Sequence, residues 1–297
     1  MKIALLPKGR YVVAVSGGVD SVVLLHLLSQ QPQLELIVAH FNHGIREDSH
    51  EDEVLAAKLA SQYDVPFVSE RGQLGPDVSE ATARTARYQF LDRVLHDHRA
   101  QAIVTAHHED DMLETAIINV LRGTGRKGLS SLGSHEHLLR PLLHVKKEDI
   151  YAYAKANQLE WHEDSTNQDE KYLRNYVRQS ILTKFTPEQR AQLLAIIDKA
   201  KQLNESIDDL LNTELHLAVS ADKLSRHWFI MLSHSVAREV LLGWLRQKSS
   251  GITVDRKTLE YLVQQAKTLA PGQRISVNKD YEILVGKEGL ALKRRDR

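Results

Sequence analysis

The sequence contains no cysteine among its 297 residues. This absence excludes disulfide bonds, thiolate metal sites, cysteine-ligated iron–sulfur clusters and cysteine nucleophiles from the chain. Long hydrophobic runs are also missing, because the longest apolar stretches are about as long as one strand, and residues 1–8 are too short for the core of a signal peptide. We therefore expect a cytoplasmic protein without membrane contact.

Neither charge is in excess, since Lys plus Arg and Asp plus Glu both total 39. The global basic excess that would by itself indicate nucleic-acid binding is absent, so any RNA contact must come from local basic patches. The length exceeds that of a usual single domain, and we expect two packed units.

Strand and helix patterns alternate through the first part of the chain. Strands are predicted over residues 11–15, 34–40, 66–69 and 102–106, and helices over residues 20–28, 47–63, 79–98, 111–121 and 146–157. This alternation predicts an α/β domain, residues 1–185, with a parallel sheet covered on both faces.

The remainder, residues 186–297, is predicted to be a smaller, mainly helical domain. Residues 187–248 carry an apolar stripe on helical spacing, made of Leu193, Leu194, Ile197, Ala200 and Leu203. Residues 274–292 contain three short apolar segments separated by turns, which predicts a closing β-meander. Trp228 and Trp244 lie in helical apolar patterns, and we interpret them as core residues.

A glycine-rich loop, Ser-Gly-Gly-Val-Asp-Ser at residues 16–21, joins the first predicted strand to the first helix. Its backbone N–H groups and the positive end of the helix dipole favour a polyphosphate, and Ser16 and Ser21 add hydroxyl donors. The loop lacks the lysine of a Walker motif, so it is better suited to gripping a departing pyrophosphate. The alternative is that Gly17 and Gly18 only make a tight turn.

A polar cluster at residues 105–115 follows a predicted strand at the sheet edge where such folds bind ligands. Asp111 and Glu114 are three residues apart, so they share one helix face. Such carboxylates can hold Mg²⁺ beside a polyphosphate or pair with a cationic amine, and the sequence leaves both roles open. A solvated acidic helix start and a His/Asp transition-metal site are the alternatives.

Seven basic residues near these segments suit phosphate or carboxylate binding, because guanidinium groups bind both in bidentate fashion. They are Arg84, Arg87, Arg122, Arg126, Lys127, Arg174 and Arg178. Ordinary solvated helix charge is the alternative for each.

Several motifs together resemble known families. Residues 16–21 match the S-G-G-x-D-S loop of the N-type ATP pyrophosphatases, or PP-loop superfamily, position for position. Residues 39–46, 80–88, 108–115, 122–125, 139–142, 163–167 and 174–178 extend the match, and the whole set resembles the transfer RNA(Ile)-lysidine synthetase family densely over residues 11–185.

The resemblance implies an adenine nucleotide α-hydrolase-like, Rossmann-like fold and a two-step reaction. ATP and Mg²⁺ would activate the C2 oxygen of the wobble cytidine in a CAU-anticodon isoleucine tRNA with release of pyrophosphate, and the ε-amine of free L-lysine would then displace AMP. A homodimer is also expected from the resemblance. Many members carry a further C-terminal domain that grips the tRNA acceptor region, so this chain is expected to be either a short form or a truncated one.

The resemblance also implies roles for individual residues. The expected catalytic residues are Asp20, linked to Mg²⁺, with Asp111, Arg87 and His108. The expected ATP contacts are Ser16, Gly17, Gly18, Val19, Asp20, Ser21, His40, Asn42, Arg87 and Gly123. The expected lysine contacts are Asp111, Glu114 and Arg178, with Arg178 facing the lysine carboxylate. The expected tRNA contacts are Arg84, Arg122, Arg126, Lys127 and Arg174.

Three other functions remain as alternatives. Transfer RNA thiolases use the same loop, but the missing cysteines argue against those that need catalytic cysteines or clusters. Amidotransferase-type synthetases for GMP or NAD use it too, but no glutaminase domain is visible. A sensor that binds ATP without chemistry is the third, because a fold alone does not determine function.

Overall fold

The computed structural model of this chain describes residues 1, 3–44, 49–72, 78–135, 137–163, 173–220, 222–249, 252 and 254–295. The chain forms two compact units, Met1–Lys201 and Gln202–Arg297. Of the motif residues above, Ile45, Arg46, residues 164–167 and the side chain of Glu80 lie outside the described part. No helix within the described residues combines the length and apolarity needed to cross a membrane.

The first unit contains a five-stranded parallel sheet. Its strands are β1 Gly9–Ala14, β2 Leu34–Asn42, β3 Phe67–Arg71, β4 Ala102–Val104 and β5 Leu138–Leu139. The hydrogen-bonded order is β3-β2-β1-β4-β5, and Val13 pairs with Val38 on one side and with Val104 on the other. The strand order reverses at β1, so a crevice for a ligand is expected at its carboxyl end.

Helices follow or connect these strands. They are α1 Val19–Ser29, α2 Ser49–Gln62, α3 Glu80–Asp97, α4 Glu109–Leu121, α5 Lys147–Ala156 and α6 Leu173–Tyr176. A π-helical turn, Val177–Ile181, and a 3-10 turn, Leu182–Lys184, come next. The long helix α7, Pro187–Ala218, contributes residues to both units.

The sheet is covered on both faces, as the alternation of patterns predicts. Val13 packs with Leu24 of α1 and Leu55 of α2 on one face. Its neighbour Val12 packs with Phe90 of α3 on the other face. Successive side chains of a strand point to opposite faces, so a strand buried on both sides must be apolar throughout. The predicted fold class is confirmed.

The second unit combines helices with an antiparallel sheet. Its strands are β6 Val219–Ser220, β7 Lys223–Ser225, β8 Arg274–Ser276, β9 Tyr281–Val285 and β10 Gly289–Arg294, in the order β6-β7-β10-β9-β8. Its helices are α8 Arg226–Met231, α9 His234–Lys248 and α10 Arg256–Thr268. Trp244 is fully buried and Trp228 packs against the same core, so their interpretation as core residues is confirmed.

Two details of this region differ from the prediction. The helical stretch over residues 187–248 is interrupted by β6 and β7, because β7 pairs with the distant β10, a contact that no local pattern encodes. The apolar stripe is also incomplete, since Ile197 is buried but 54% of Leu203 is exposed.

Candidate active site

A cavity of about 330 Å³ opens at the carboxyl ends of β1, β2 and β4. The residues that line it come from these strand ends, from the loops and helix starts that follow them and from the middle of α3. They are Ala14, Val15, Ser16, Asp20, Ser21, His40, Phe41, Asn42, His43, Ser49, Asp52, Arg87, Leu91, Thr105, Ala106, His107 and Asp111. The cavity therefore lies where the strand order reverses, and it brings the predicted phosphate loop together with Asp111.

The phosphate loop is held in shape by its two serines. The backbone N–H of Ser16 donates to Ser21 Oγ at 3.1 Å, and Ser21 Oγ donates to the carbonyl of Gly18 at 2.9 Å. Gly18 is the N-cap of α1, and no side chain caps this helix end. The N–H groups of Ser21 and Val22 donate to the carbonyl of Gly18, so those of Val19 and Asp20 are left for an anion. The side chain of Val19 is buried in the core, so only its backbone can face a ligand.

Position 17 of the loop requires a glycine. Its φ angle is +92°, and a Cβ atom there would lie 3.1 Å from Asp52 Oδ1. The loop backbone is also tied from outside, because the N–H of His162 donates to the carbonyl of Gly17 at 3.0 Å. His162 Nδ1 lies 2.9 Å from Asp52 Oδ1. Asp52 and His162 thus brace the loop, a role that sequence patterns do not reveal.

Two of the predicted nucleotide contacts on β2 line the cavity. His40 donates through Nδ1 to the carbonyl of Val15 at 2.8 Å, and its buried Nε2 has no hydrogen-bond partner among the described residues. Burial lowers the pKa of His40, so its Nε2 is an acceptor at neutral pH. Asn42 instead stabilises the turn after β2, donating to the carbonyl of Ser49 and accepting from the N–H of Gly44.

Asp20 is engaged by a lysine from a distant element. Lys147 Nζ, at the start of α5, lies 2.7 Å and 2.6 Å from the two carboxylate oxygens of Asp20. Both side chains are 27% exposed. The sequence analysis assigns no role to Lys147, and its only local signal is a cation placed in the first turn of a helix, where the dipole disfavours it.

His108 lies between two carboxylates at the start of α4. Its Nδ1 accepts from the N–H of Asp110 at 3.3 Å, and its own N–H donates to Asp111 Oδ2 at 2.9 Å, so it caps the helix. With Nδ1 as acceptor, the ring proton is assigned to Nε2. This atom lies 3.8 Å from Asp20 Oδ2 and 3.6 Å from Asp111 Oδ2. The His108 ring therefore lies between Asp20 of the phosphate loop and Asp111.

The predicted lysine-binding residues also lie together. Arg178, on the π-helical turn, donates from Nε to Glu114 Oε1 at 2.6 Å and from Nη2 to Oε2 at 3.0 Å. Its Nη2 is 3.8 Å from Asp111 Oδ1. Glu114 is fully buried with both oxygens on Arg178. Of these three side chains, only Asp111 lines the cavity.

Asp111 is held in its charged form by its neighbours. Burial on its own raises the pKa of this carboxyl. The His108 ring, the backbone N–H of His108 and Arg178 together outweigh burial and hold the pKa below the usual value. The adjacent His107 stays neutral instead. Burial, reinforced by Arg140, lowers the pKa of His107 to about 3, against the opposing effect of Asp111.

Three arginines, Arg84, Arg87 and Arg140, lie near Tyr88. Arg84 Nη2 donates to Tyr88 Oη at 3.5 Å, and Arg140 Nε donates to His107 Nδ1 at 3.4 Å. The guanidinium carbons of Arg84 and Arg87 lie 4.8 Å and 5.4 Å from the ring centroid. Within the described part of the chain, no carboxylate forms an ion pair with any of these three arginines. These arginines form a positively charged cluster beside the cavity, and Arg87 lines it.

The remaining predicted site residues lie outside the cavity lining. Gly123 follows α4 with a φ angle of +66°. The others in this group are Arg122, Arg126, Lys127 and Arg174. Their proposed roles in nucleotide or RNA binding remain predictions.

The family comparison agrees with this geometry. Residues 2–185 match the family model ATP_bind_3, described as the PP-loop domain. The chain is 33% identical over 282 residues to a tRNA(Ile)-lysidine synthase from Nitrosomonas europaea, covering 89% of this chain and 60% of that protein. It is 41% identical over 181 residues to one from Exiguobacterium sibiricum, covering 60% of this chain and 44% of that protein. The chain thus spans about half of the length of these relatives.

Among solved structures, the chain resembles a U34-tRNA thiolase from Methanococcus maripaludis. The TM-score is 0.57 with 20% sequence identity, covering 68% of this chain and 74% of the thiolase. This likeness concerns the fold alone. Because the family model covers the whole of the parallel sheet, the phosphate loop and the cluster around Asp111, the chain belongs to the PP-loop domain family.

Proposed function

We propose that this protein joins free L-lysine to C2 of the wobble cytidine in a CAU-anticodon isoleucine tRNA, forming lysidine with release of AMP and pyrophosphate. The observation that carries the proposal is that Asp20 of the phosphate loop and Asp111, which lies 3.8 Å from Arg178 of the Arg178–Glu114 pair, line one cavity with His108 between them. The similarity to tRNA(Ile)-lysidine synthases supports it.

In the first step, the C2 oxygen of cytidine attacks the α-phosphorus of ATP, and the bond to the β-phosphate oxygen breaks. The loop of Ser16, Gly17, Gly18 and Ser21, with the start of α1, would hold the phosphates that leave. Arg87 lines the cavity and is suited to the charge that develops on the α-phosphate. His40 Nε2 would accept a hydrogen bond from the nucleoside.

Mg²⁺ fits this site through Asp20, because the ion binds one or two carboxylates together with phosphate oxygens. Within the described residues, no group of three or more His, Asp or Glu side chains could hold a metal ion. Asp20 is therefore better suited to bind an ion that is also held by nucleotide phosphates than to form a transition-metal site. When bound, Mg²⁺ would neutralise phosphate charge and orient the leaving pyrophosphate.

In the second step, the ε-nitrogen of lysine attacks C2, and the bond from C2 to the phosphorylated oxygen breaks to release AMP. The amine must lose its proton to attack. Asp111 is ionised and faces the cavity, so we assign it the role of proton acceptor. The Arg178–Glu114 pair would orient the amino acid, with Arg178 towards its carboxylate and Glu114 fixing the guanidinium plane.

The RNA contacts belong to the same proposal. We assign Arg84, Arg122, Arg126, Lys127 and Arg174 to the tRNA backbone, residues 1–185 to catalysis and residues 186–297 to RNA binding. The cytoplasmic location and the homodimer remain predictions. The competing functions are those of another PP-loop synthetase and of a non-catalytic ATP-binding sensor. The absence of cysteine from the chain disfavours a cluster-dependent thiolase.

The test is AMP release from ATP in the presence of the CAU-anticodon isoleucine tRNA, with and without lysine, and with elongator methionine tRNA as the control RNA. Lysine-dependent AMP release with the cognate RNA alone is expected. The Asp111→Asn variant is expected to lose this turnover and to keep ATP binding. AMP release that needs neither lysine nor RNA, or ATP binding without pyrophosphate release, would overturn the proposal.

A further inference from the structure

The peptide unit between Gly17 and Gly18 can present either its N–H or its carbonyl to the cavity. Both residues are glycines, so both orientations are open at little steric cost. Only the N–H orientation attracts a phosphate, because a carbonyl oxygen repels an anion. The contacts that fix the orientation of this peptide unit therefore decide whether this part of the loop binds a polyphosphate.

The carbonyl of Gly17 is held by a segment that follows α5. It accepts a hydrogen bond at 3.0 Å from the backbone N–H of His162, which lies outside the cavity lining. The C=O and N–H of a trans peptide point in opposite directions, so the N–H of Gly18 is turned to the other side of the loop. There it lies 3.5 Å from Ser16 Oγ, and Ser16 lines the cavity.

The side chain of His162 fixes this backbone contact. Its Nδ1 donates to Asp52 Oδ1 at 2.9 Å, because a carboxylate oxygen can only accept. Asp52 lies in the first turn of α2, a helix that packs on the sheet, and its side chain is 15% exposed. A hydrogen bond to a charged group that is largely screened from water is stronger than one between neutral groups. Asp52 thus anchors His162 to the packed part of the fold.

The position of Asp52 is only partly explained by its own helix. An acidic residue in the first turn is favourable because it faces the positive end of the helix dipole. That role needs no partner in another element, and a carboxylate on the lining of a phosphate cavity repels the ligand. Asp52 instead contacts His162, and its Oδ1 lies 3.1 Å from the position of a Cβ atom on Gly17. It therefore lies directly beside the turn of the loop.

We propose that His162 and Asp52 are positioning residues that hold the Gly17–Gly18 peptide with its N–H towards the outer phosphates of the nucleotide. The inference rests on the nucleotide half of the proposed function. It requires neither RNA nor lysine, so it can fail or hold independently of lysidine formation.

The experiment measures the dissociation constants of ATP, pyrophosphate and AMP by calorimetry with Mg²⁺ present, for the wild-type chain and the His162→Leu, His162→Asn and Glu160→Gln variants. In His162→Leu, ATP and pyrophosphate are expected to bind about five- to twentyfold more weakly, because the peptide then also adopts the orientation that repels phosphate. AMP, which lacks the outer phosphates, should stay within about twofold.

Two variants of the same segment serve as controls. His162→Asn keeps a side-chain N–H donor for Asp52 and should restore most of the affinity for ATP and pyrophosphate. Glu160→Gln removes the exposed ion pair with Lys58 of α2, which anchors the same segment, and it should match the wild type.

A double variant tests whether the two side chains act as one unit. In an Asp52→Ala chain, the further change His162→Leu should cause no additional loss of ATP or pyrophosphate affinity. An undiminished loss in that background, equal weakening of ATP and AMP, or unchanged ATP and pyrophosphate binding in folded His162→Leu would overturn the inference. A folded wild-type chain that binds no ATP would refute the proposed function and this inference together.

Discussion

At the scale of single residues, His107 shows how the site environment sets protonation. Its Nδ1 lies 2.8 Å from the Thr105 hydroxyl and accepts from Arg140 Nε at 3.4 Å, and burial lowers its pKa from 6.5 to about 3. Between these two values the unfolded chain binds a proton that the folded chain does not. Stability is therefore lost as the pH falls below about 6.5.

The His107→Asn variant keeps an acceptor for Arg140 but cannot bind this proton. Between pH 7 and pH 5 it is expected to lose about 2 kcal/mol less stability than the wild type, measured by urea unfolding at both pH values. His144→Asn, which changes an exposed histidine, serves as the control and should follow the wild type. Parallel pH profiles for His107→Asn and wild type would refute the effect.

At the scale of elements, the turn from β1 into α1 contains two glycines with different tasks. Gly17 has a φ angle of +92° and has Asp52 within contact distance of a Cβ atom, so Gly17→Ala should destabilise the fold by about 2 kcal/mol. Gly18 has φ −74° and ψ 157°, and the nearest atom to its Cβ would be Ser16 Oγ at 3.6 Å. Gly18→Ala should cost less than about 1 kcal/mol.

The two variants should separate stability from nucleotide binding. Gly17→Ala should mainly lower the stability, whereas Gly18→Ala should mainly lower the affinity for ATP. Gly18 lies where a phosphate would approach the backbone, so a methyl group there should weaken ATP binding in a protein that remains folded. Denaturant unfolding and ATP calorimetry on each variant separate the effects. Full ATP affinity in Gly18→Ala would place the phosphate elsewhere.

At the scale of the whole molecule, the formal net charge is zero, so the proposed RNA binding would depend on local clusters. The arginines around Tyr88 form such a cluster. Arg84→Gln should weaken tRNA binding and reduce the slope of log affinity against log salt by about 0.7 to 1, because one phosphate contact is lost. Binding measured over a salt series checks this.

The control for this measurement is Arg10→Gln. Arg10 is exposed, pairs with Glu35 at 2.7 Å and lies at the amino end of β1, opposite the phosphate loop. Its loss should leave the salt slope unchanged. If the Arg84→Gln variant has the same salt slope as the wild type, Arg84 does not contact the RNA and the prediction is wrong.

Much of the fold was readable from local patterns. The apolar run of β1 and the helical spacing of α1 identify their elements because burial imposes a period of two or of 3.6 residues. Helix α10 is absent from the prediction, although local patterns indicate it. Asp255 caps its start, and the buried residues follow helical spacing: Leu259, Leu262, Val263 and Ala266. The pairing of β7 with β10 was not readable, since short strands carry little signal and their partners are remote.

The sequence by itself determined the chemistry available at the site, because the loop of residues 16–21 and the carboxylates of α4 are contiguous motifs. Only the tertiary structure decided which groups meet. Lys147 reaches Asp20, His162 reaches Asp52 and Arg178 reaches Glu114 across long stretches of chain. The physical reason is that these contacts depend on the hydrogen-bonded order of parallel strands and on the packing of helices over them, which local periodicity does not encode.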